Sequence, residues 1–370
     1  MYRVIVSGGG TGGHIYPAVS VAEALKSRFG SEVEILFVGA EGRMEMELVP
    51  SLGYRIEGLP IAGLQRRLEW RNLLLPFKVV RSIFKARSVI KGFNADIVVG
   101  FGGYASAPIL WAAQRLGVPT IVQEQNSYAG VTNRVVGGAA KRVCVAYSGM
   151  ERFFKGAQIV LTGNPLRGSF GTPSSTREEA LGHYDLDGER PVVLVVGGSL
   201  GTRTLNTMMC RWIESLGGER PPVQVIWQTG RYYEAEMRGF LNSNPVDGVW
   251  QGAFLNRMDL AYQAADIVIS RSGASTVSEL ALMGKATIFV PSPNVAEDHQ
   301  TANAMALVNE QAALMVRDSE AAERAMRLAV ETLKDSGRVE SLSENIKRLA
   351  HPDAAQRVVD QIVEVLKDVK

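Results

Sequence analysis

Where apolar side chains recur, the chain falls into short β-branched runs separated by stretches with helical periodicity. The first series is Val4 to Ser7, Glu34 to Val38, Ile97 to Val99, Thr120 to Gln123, Arg142 to Ala146 and Ile159 to Leu161. It breaks at Thr162-Gly163-Asn164-Pro165 and the glycine-, proline- and serine-rich stretch Gly168 to Ser175. It resumes with Val192 to Val196, Val223 to Trp227, Val249 to Gly252, Ile267 to Ser270 and Thr287 to Val290. Such alternation is the signature of βαβ units, whose parallel strands are buried under helices on both faces. The same grammar appears twice. It predicts an α/β protein of two Rossmann-like parallel-sheet domains, residues 1–163 and 164–349, with a last helix, about Asp353 to Val369, packing back on the first.

Composition narrows the class. A chain of 370 residues exceeds what one compact core usually fills. With 40 basic and 38 acidic residues the balance gives no electrostatic case for a nucleic-acid partner. Cys144 and Cys210, both in apolar surroundings without metal-ligand spacing, read as buried thiols in a reducing compartment. Met1-Tyr2-Arg3 runs straight into the strand-like segment at Val4, leaving no room for a signal peptide, so a cytosolic protein is expected. No uncharged apolar stretch approaches the roughly 18–20 residues of a membrane span, so membrane contact is expected to be peripheral.

The chemistry gathers after the strands. Gly8, Gly10 and Gly13 satisfy G-x-G-x-x-G between a strand and the helix of Pro17 to Lys26, where free N–H groups and the helix dipole favour an anion. A dinucleotide site would place an acidic residue at the end of the second strand, but Val38 is followed by Gly39 and Ala40. His14 also occupies the helix entrance. A second loop, Gly197 to Arg203, follows the Val192 strand and opens a helix through Asn206 as a second anion cradle. Two such halves facing a cleft describe the GT-B architecture, which suits a diphosphate leaving group without a metal. In the cluster Ser270 to Glu279, small residues cap a helix and Glu279 is placed to accept ribose hydroxyls. His299, Gln300 and Asn303 gather amide and imidazole groups at another helix entrance. Asp185-Leu186-Asp187 has the letters of a metal-binding pair but reads as a turn beside Gly188. Across residues 66–91, Arg66, Arg67, Arg71, Lys78, Arg81, Lys85, Arg87 and Lys91 interleave with Trp70, Leu73 to Leu75, Phe77, Ile83 and Phe84. This composition fits an anionic membrane surface.

These segments, together with Gly100 to Pro108, Glu124-Gln125-Asn126 and Gly163 to Arg167 in the same order, resemble the MurG family of bacterial transferases. That family moves N-acetylglucosamine from UDP-N-acetylglucosamine to undecaprenyl-linked lipid I, giving lipid II in peptidoglycan synthesis. The resemblance implies an inverting hexosyltransferase with no cofactor and no metal, peripheral on the cytoplasmic face of the inner membrane. It assigns the diphosphate to Gly198, Ser199 and Arg167, the ribose to Glu279, the uracil to residues 252–255 including Leu255, and the donor sugar to Gln300. Asn206, Arg271, Ala274, Ser275, Thr276, Val277, Ser278, His299 and Asn303 are expected as further substrate contacts, with the role of His299 left open. His299 stands where the family often has glutamine. Thr11, Gly12, Gly13, His14, Tyr104, Glu124, Asn126 and Asn133 line the acceptor side, with Asn126 also reaching the donor. His14, kept neutral by the helix N-terminus, and Glu124 compete as the base. A UDP-N-acetylglucosamine 2-epimerase or a glycolipid transferase is the alternative enzyme on this architecture, followed by an NAD oxidoreductase and a non-catalytic scaffold.

Overall fold

The computed structural model describes residues 1–61, 75–166 and 175–369. It divides into two compact units, Met1–Gly168 with His351–Lys370, and Ser169–Ala350. The first contains β1 (Tyr2–Ser7), α1 (Gly12–Phe29), β2 (Val33–Ala40), α2 (Glu45–Ser51), β3 (Arg55–Leu59), α3 (Leu75–Phe93), β4 (Ile97–Gly100), α4 (Ser106–Arg115), β5 (Thr120–Glu124), α5 (Val131–Gly137), β6 (Arg142–Val145) and β7 (Ile159–Leu161). The second contains α6 (Arg177–His183), β8 (Val192–Val196), α7 (Arg203–Ser215), β9 (Gln224–Gln228), α8 (Glu234–Ser243), β10 (Val249–Gly252), α9 (Met258–Ala264), β11 (Ile267–Ser270), α10 (Ala274–Met283), β12 (Ala286–Phe289), α11 (His299–Val308), β13 (Leu314–Met315), α12 (Asp318–Leu333) and α13 (Ser336–Arg348). The last helix, α14 (Ala354–Val369), belongs to the first unit.

Every strand pair is parallel, so the two parallel-sheet α/β units expected from the alternating pattern are present. The first sheet runs β3-β2-β1-β4-β5-β6-β7 and the second β10-β9-β8-β11-β12-β13. Central strands are sealed on both faces: Val4 to Val6, Ile97 to Val99 and Val193 to Val195 have no exposed surface. Chain order reverses on either side of β1 and of β8, and at such switch points the loops beyond the carboxyl ends of the strands splay apart to admit a ligand. Both glycine loops sit there.

Val358, Val359, Ile362, Val365 and Leu366, spaced three and four apart along α14, share a core with Val19 and Ala22 of α1. Both cysteines are free thiols, and burial pushes Cys144 up to about 12. Among the described residues no helix is long and apolar enough to cross a membrane.

Candidate active site

The first loop is shaped by glycines that leave room for neighbours. A Cβ at Gly9 would lie 2.1 Å from Oε1 of Glu45, and one at Gly103 would lie 2.3 Å from the Gly9 carbonyl oxygen. The loop after β1 thus packs against both the turn after β4 and the first residue of α2. Glu45 is fully buried and accepts the N–H groups of Gly10 at 2.9 Å and Ala40 at 3.0 Å. On the other side of the loop, Nδ1 of His14 lies 3.0 Å from the Gly9 carbonyl and 3.4 Å from Oγ1 of Thr11. A carbonyl only accepts, so Nδ1 carries the proton of the neutral ring, and Nε2 is the nitrogen able to take one. The ring edge with Nε2 stands 3.0 Å from where Gly102 would carry a Cβ.

Across the same end of the sheet, Glu124 closes β5 with its carboxylate buried. Oε1 accepts the backbone and side-chain N–H groups of Asn126 at 3.0 and 3.2 Å; Oε2 accepts Gly130 N at 3.0 Å and Nδ2 of Asn133 at 2.9 Å. Asn133 reaches the His14 neighbourhood, since its Nδ2 is 3.7 Å from the same Cβ position at Gly102. Its Oδ1 is buried without a hydrogen-bond partner among the described residues. Thr11 and Tyr104 are exposed, and Gly12, Gly13 and Asn126 are half-buried. The first unit therefore gathers its expected acceptor-side residues around one loop end.

In the second unit Gly198 has φ +87°, a left-handed conformation that glycine adopts without strain. Gly201 presses on Gly230 so closely that a Cβ on Gly230 would lie 2.0 Å from the Gly201 Cα. The crest Gly198 to Leu200 is exposed before α7. Buried Gln228 donates to the Gly198 carbonyl at 2.9 Å and accepts Leu255 N at 3.0 Å, tying the anion loop to the segment expected to hold uracil. Asn206 is committed inward: its Nδ2 donates to the Thr229 carbonyl, and its Oδ1 accepts Nε1 of Trp227, each at 3.0 Å. Arg271 likewise donates to the Val290 and Pro291 carbonyls at 2.8 and 3.1 Å and pairs with Asp318 at 2.6 Å. These two side chains brace the loops.

Helix α10 starts at Ala274 behind the Gly273 cap. Ala274 and Val277 are buried, Ser275 and Thr276 are half-buried, and Ser278 donates back to the Ala274 carbonyl. Glu279 receives the Tyr262 hydroxyl at 3.2 Å, and desolvation pushes its carboxyl up to about 7 despite that bond. Oε1 of Gln300 accepts Ser292 N at 2.8 Å, and Asn303 donates to the Ser272 carbonyl at 3.2 Å, so α11 pins the turns after β11 and β12. His299 is half-buried beside them. Asp187 belongs to a turn in which Arg190 donates to it at 2.7 Å and Glu189 N at 2.9 Å. Among the described residues no three His, Cys, Asp or Glu side chains cluster to hold a metal ion. Arg167 and residues 66–74 lie outside the described residues.

Sequence reasoning missed Glu45 and Gln228. Glu45 shares a helix face with Leu48 and Val49, and a carboxylate on an apolar face is a readable signal. Gln228 closes β9 directly after the apolar run Val225 to Trp227.

Residues 4–145 match the glycosyltransferase family 28 N-terminal domain and residues 192–358 the glycosyltransferase family 28 C-terminal domain. The chain is 50% identical over 365 residues to the UDP-N-acetylglucosamine--N-acetylmuramyl-(pentapeptide) pyrophosphoryl-undecaprenol N-acetylglucosamine transferase of Parabacteroides distasonis, covering 99% of this chain and 98% of that protein. The crystal structure of MurG from Acinetobacter baumannii matches with a TM-score of 0.81 at 30% identity, covering 98% of this chain and 100% of that one. A UDP-GlcNAc 2-epimerase from Neisseria meningitidis bound to UDP-GlcNAc matches with a TM-score of 0.66 at 13% identity, over 98% of this chain and 100% of that one, a likeness of fold alone.

Proposed function

Because the chain belongs to glycosyltransferase family 28, and to the MurG family within it, we propose that it transfers N-acetylglucosamine from UDP-N-acetylglucosamine to the muramyl sugar of lipid I. The observation that carries the reading is the division of chemistry between two glycine loops. One presents the imidazole of His14 with its proton on Nδ1; the other presents a helix N-terminus for an anion, with Glu279 available for a ribose.

In the proposed step the acceptor hydroxyl oxygen attacks the anomeric carbon while its proton passes to Nε2 of His14. The bond from that carbon to the diphosphate oxygen breaks with its electron pair, and UDP leaves from the opposite face with inversion. N–H groups at Gly198 and Ser199, the α7 dipole and Arg167 offset the charge developing on UDP. Glu124 is the weaker base candidate, because four N–H groups already occupy its oxygens and a proton there would displace a donor. It serves better by holding Asn126 and Asn133 against the acceptor. Acceptor dependence is the test: UDP-N-acetylglucosamine alone should remain unchanged, whereas an epimerase would convert it without lipid I.

Membrane docking is part of the proposal. On α3, Phe77 is 73% and Phe84 67% exposed, with Val80 between them; Trp111 of adjoining α4 is 37% exposed. Exposed Lys78, Arg81, Arg87 and Lys91 and half-buried Lys85 lie on α3. Aromatic rings entering the headgroup boundary beside cations worth about 1 kcal/mol each would hold the enzyme at the cytoplasmic face. Phe77→Asp with Phe84→Asp should weaken binding to anionic vesicles at least about tenfold, since even partial burial of two phenylalanines exceeds 1.4 kcal/mol. Vesicle sedimentation measures it, with UDP binding expected unchanged; undiminished sedimentation would remove α3 from the docking role.

A further inference from the structure

The peptide unit joining Gly9 to Gly10 is gripped at both ends. Its N–H donates to Oε2 of Glu45 at 2.9 Å, and its carbonyl lies 3.0 Å from Nδ1 of His14. The second Glu45 oxygen is fixed by Ala40 N at 3.0 Å, so the carboxylate is anchored to the end of β2 as well as to the loop. The glycines around it have a steric reason. Gly9 is a variable position of G-x-G-x-x-G, yet a Cβ there would strike the carboxylate, and one at Gly39 would lie 2.5 Å from Cγ of Glu45.

Carboxylate, peptide and imidazole thus stand head to tail. A carboxylate that accepts a peptide N–H polarises the peptide and strengthens its carbonyl as an acceptor. We infer that Glu45 is a positioning residue for His14, acting through the Gly9–Gly10 peptide; this rests on the reading of His14 as the base. The relay holds the proton on Nδ1, leaves Nε2 to receive the acceptor's proton, and places a negative charge behind the imidazolium that forms. It is the logic of a carboxylate–histidine pair with one peptide inserted. Glu124 stands behind Asn133, whose Nδ2 approaches the same Gly102 position as the His14 ring.

Glu45→Gln keeps the shape and removes the charge. With UDP-N-acetylglucosamine and a lipid I analogue, kcat should fall about tenfold and UDP affinity should stay unchanged. The acid limb of the kcat/KM profile should move down by about half to one pH unit, because the imidazolium loses a nearby opposite charge. A rate loss with the limb unmoved would make Glu45 a loop support only and overturn the inference. Undiminished turnover of His14→Ala would instead remove the base reading beneath it. A second readout needs no variant: the 15N spectrum of the wild-type imidazoles, of which there are four, should show His14 protonated on Nδ1. The Nε2–H tautomer would overturn the relay.

Discussion

Replacing His14 by alanine is expected to lower kcat about a thousandfold while UDP binds with near wild-type affinity. General-base catalysis contributes about 10²- to 10⁴-fold, and the middle of that range is assigned here because the donated Nδ1 bond already orients the ring. UDP affinity is spared because Gly198, Ser199 and Glu279, all proposed to hold UDP, belong to the other unit. The half-buried ring lies at a helix entrance, so its loss opens no deep cavity and the variant should stay folded. Steady-state rates with calorimetric titration of UDP separate the two effects. Normal turnover would exclude His14 as the base.

The second large effect concerns Glu279. Its carboxyl stands at about 7 in the free protein, raised by desolvation. Two ribose hydroxyls donating to it would favour the ionised form, so UDP binding should expel a proton wherever the free carboxyl still holds one. Below pH 7 affinity should therefore climb with pH, by up to about tenfold per unit, and level off above it. Glu279→Ala should weaken UDP about ten- to a hundredfold, the cost of one charge-assisted hydrogen bond of about 1.5–3 kcal/mol. Its remaining pH dependence should report only the phosphates of UDP. Titration in buffers of different ionisation enthalpy counts the protons released. Equal counts for wild type and variant would exclude Glu279 from the ribose.

The strands that form the sheet centres were legible because burial on both faces demands unbroken apolar runs, as in Val192 to Val196. Strand β3 was not legible: it lies at a sheet edge and carries Arg55 and Glu57 outward. Strand β13 has two residues, too few for any pattern. Helix α1 begins at Gly12, ahead of the expected Pro17, because the turn from β1 imposes helical geometry on glycines that disfavour it intrinsically. Both glycine loops were legible as tight turns between a strand and a helix. What lies beneath them was not. Glu45 and Gln228 act by tertiary approach to backbone groups, which spacing along the chain does not encode. Asn206 and Arg271, read as substrate contacts, also bond protein groups, Asn206 through Nδ2 and Oδ1 and Arg271 through Nη1. A polar residue near a helix start has the same sequence signature whether it faces a ligand or the neighbouring backbone.

The most direct test incubates the protein with UDP-N-acetylglucosamine and a lipid I analogue in buffer containing a chelator, and measures UDP and disaccharide product together. One disaccharide should form per UDP released, with inverted anomeric configuration, and neither should appear without the acceptor. UDP release without disaccharide, or sugar conversion without acceptor, would contradict the proposed function.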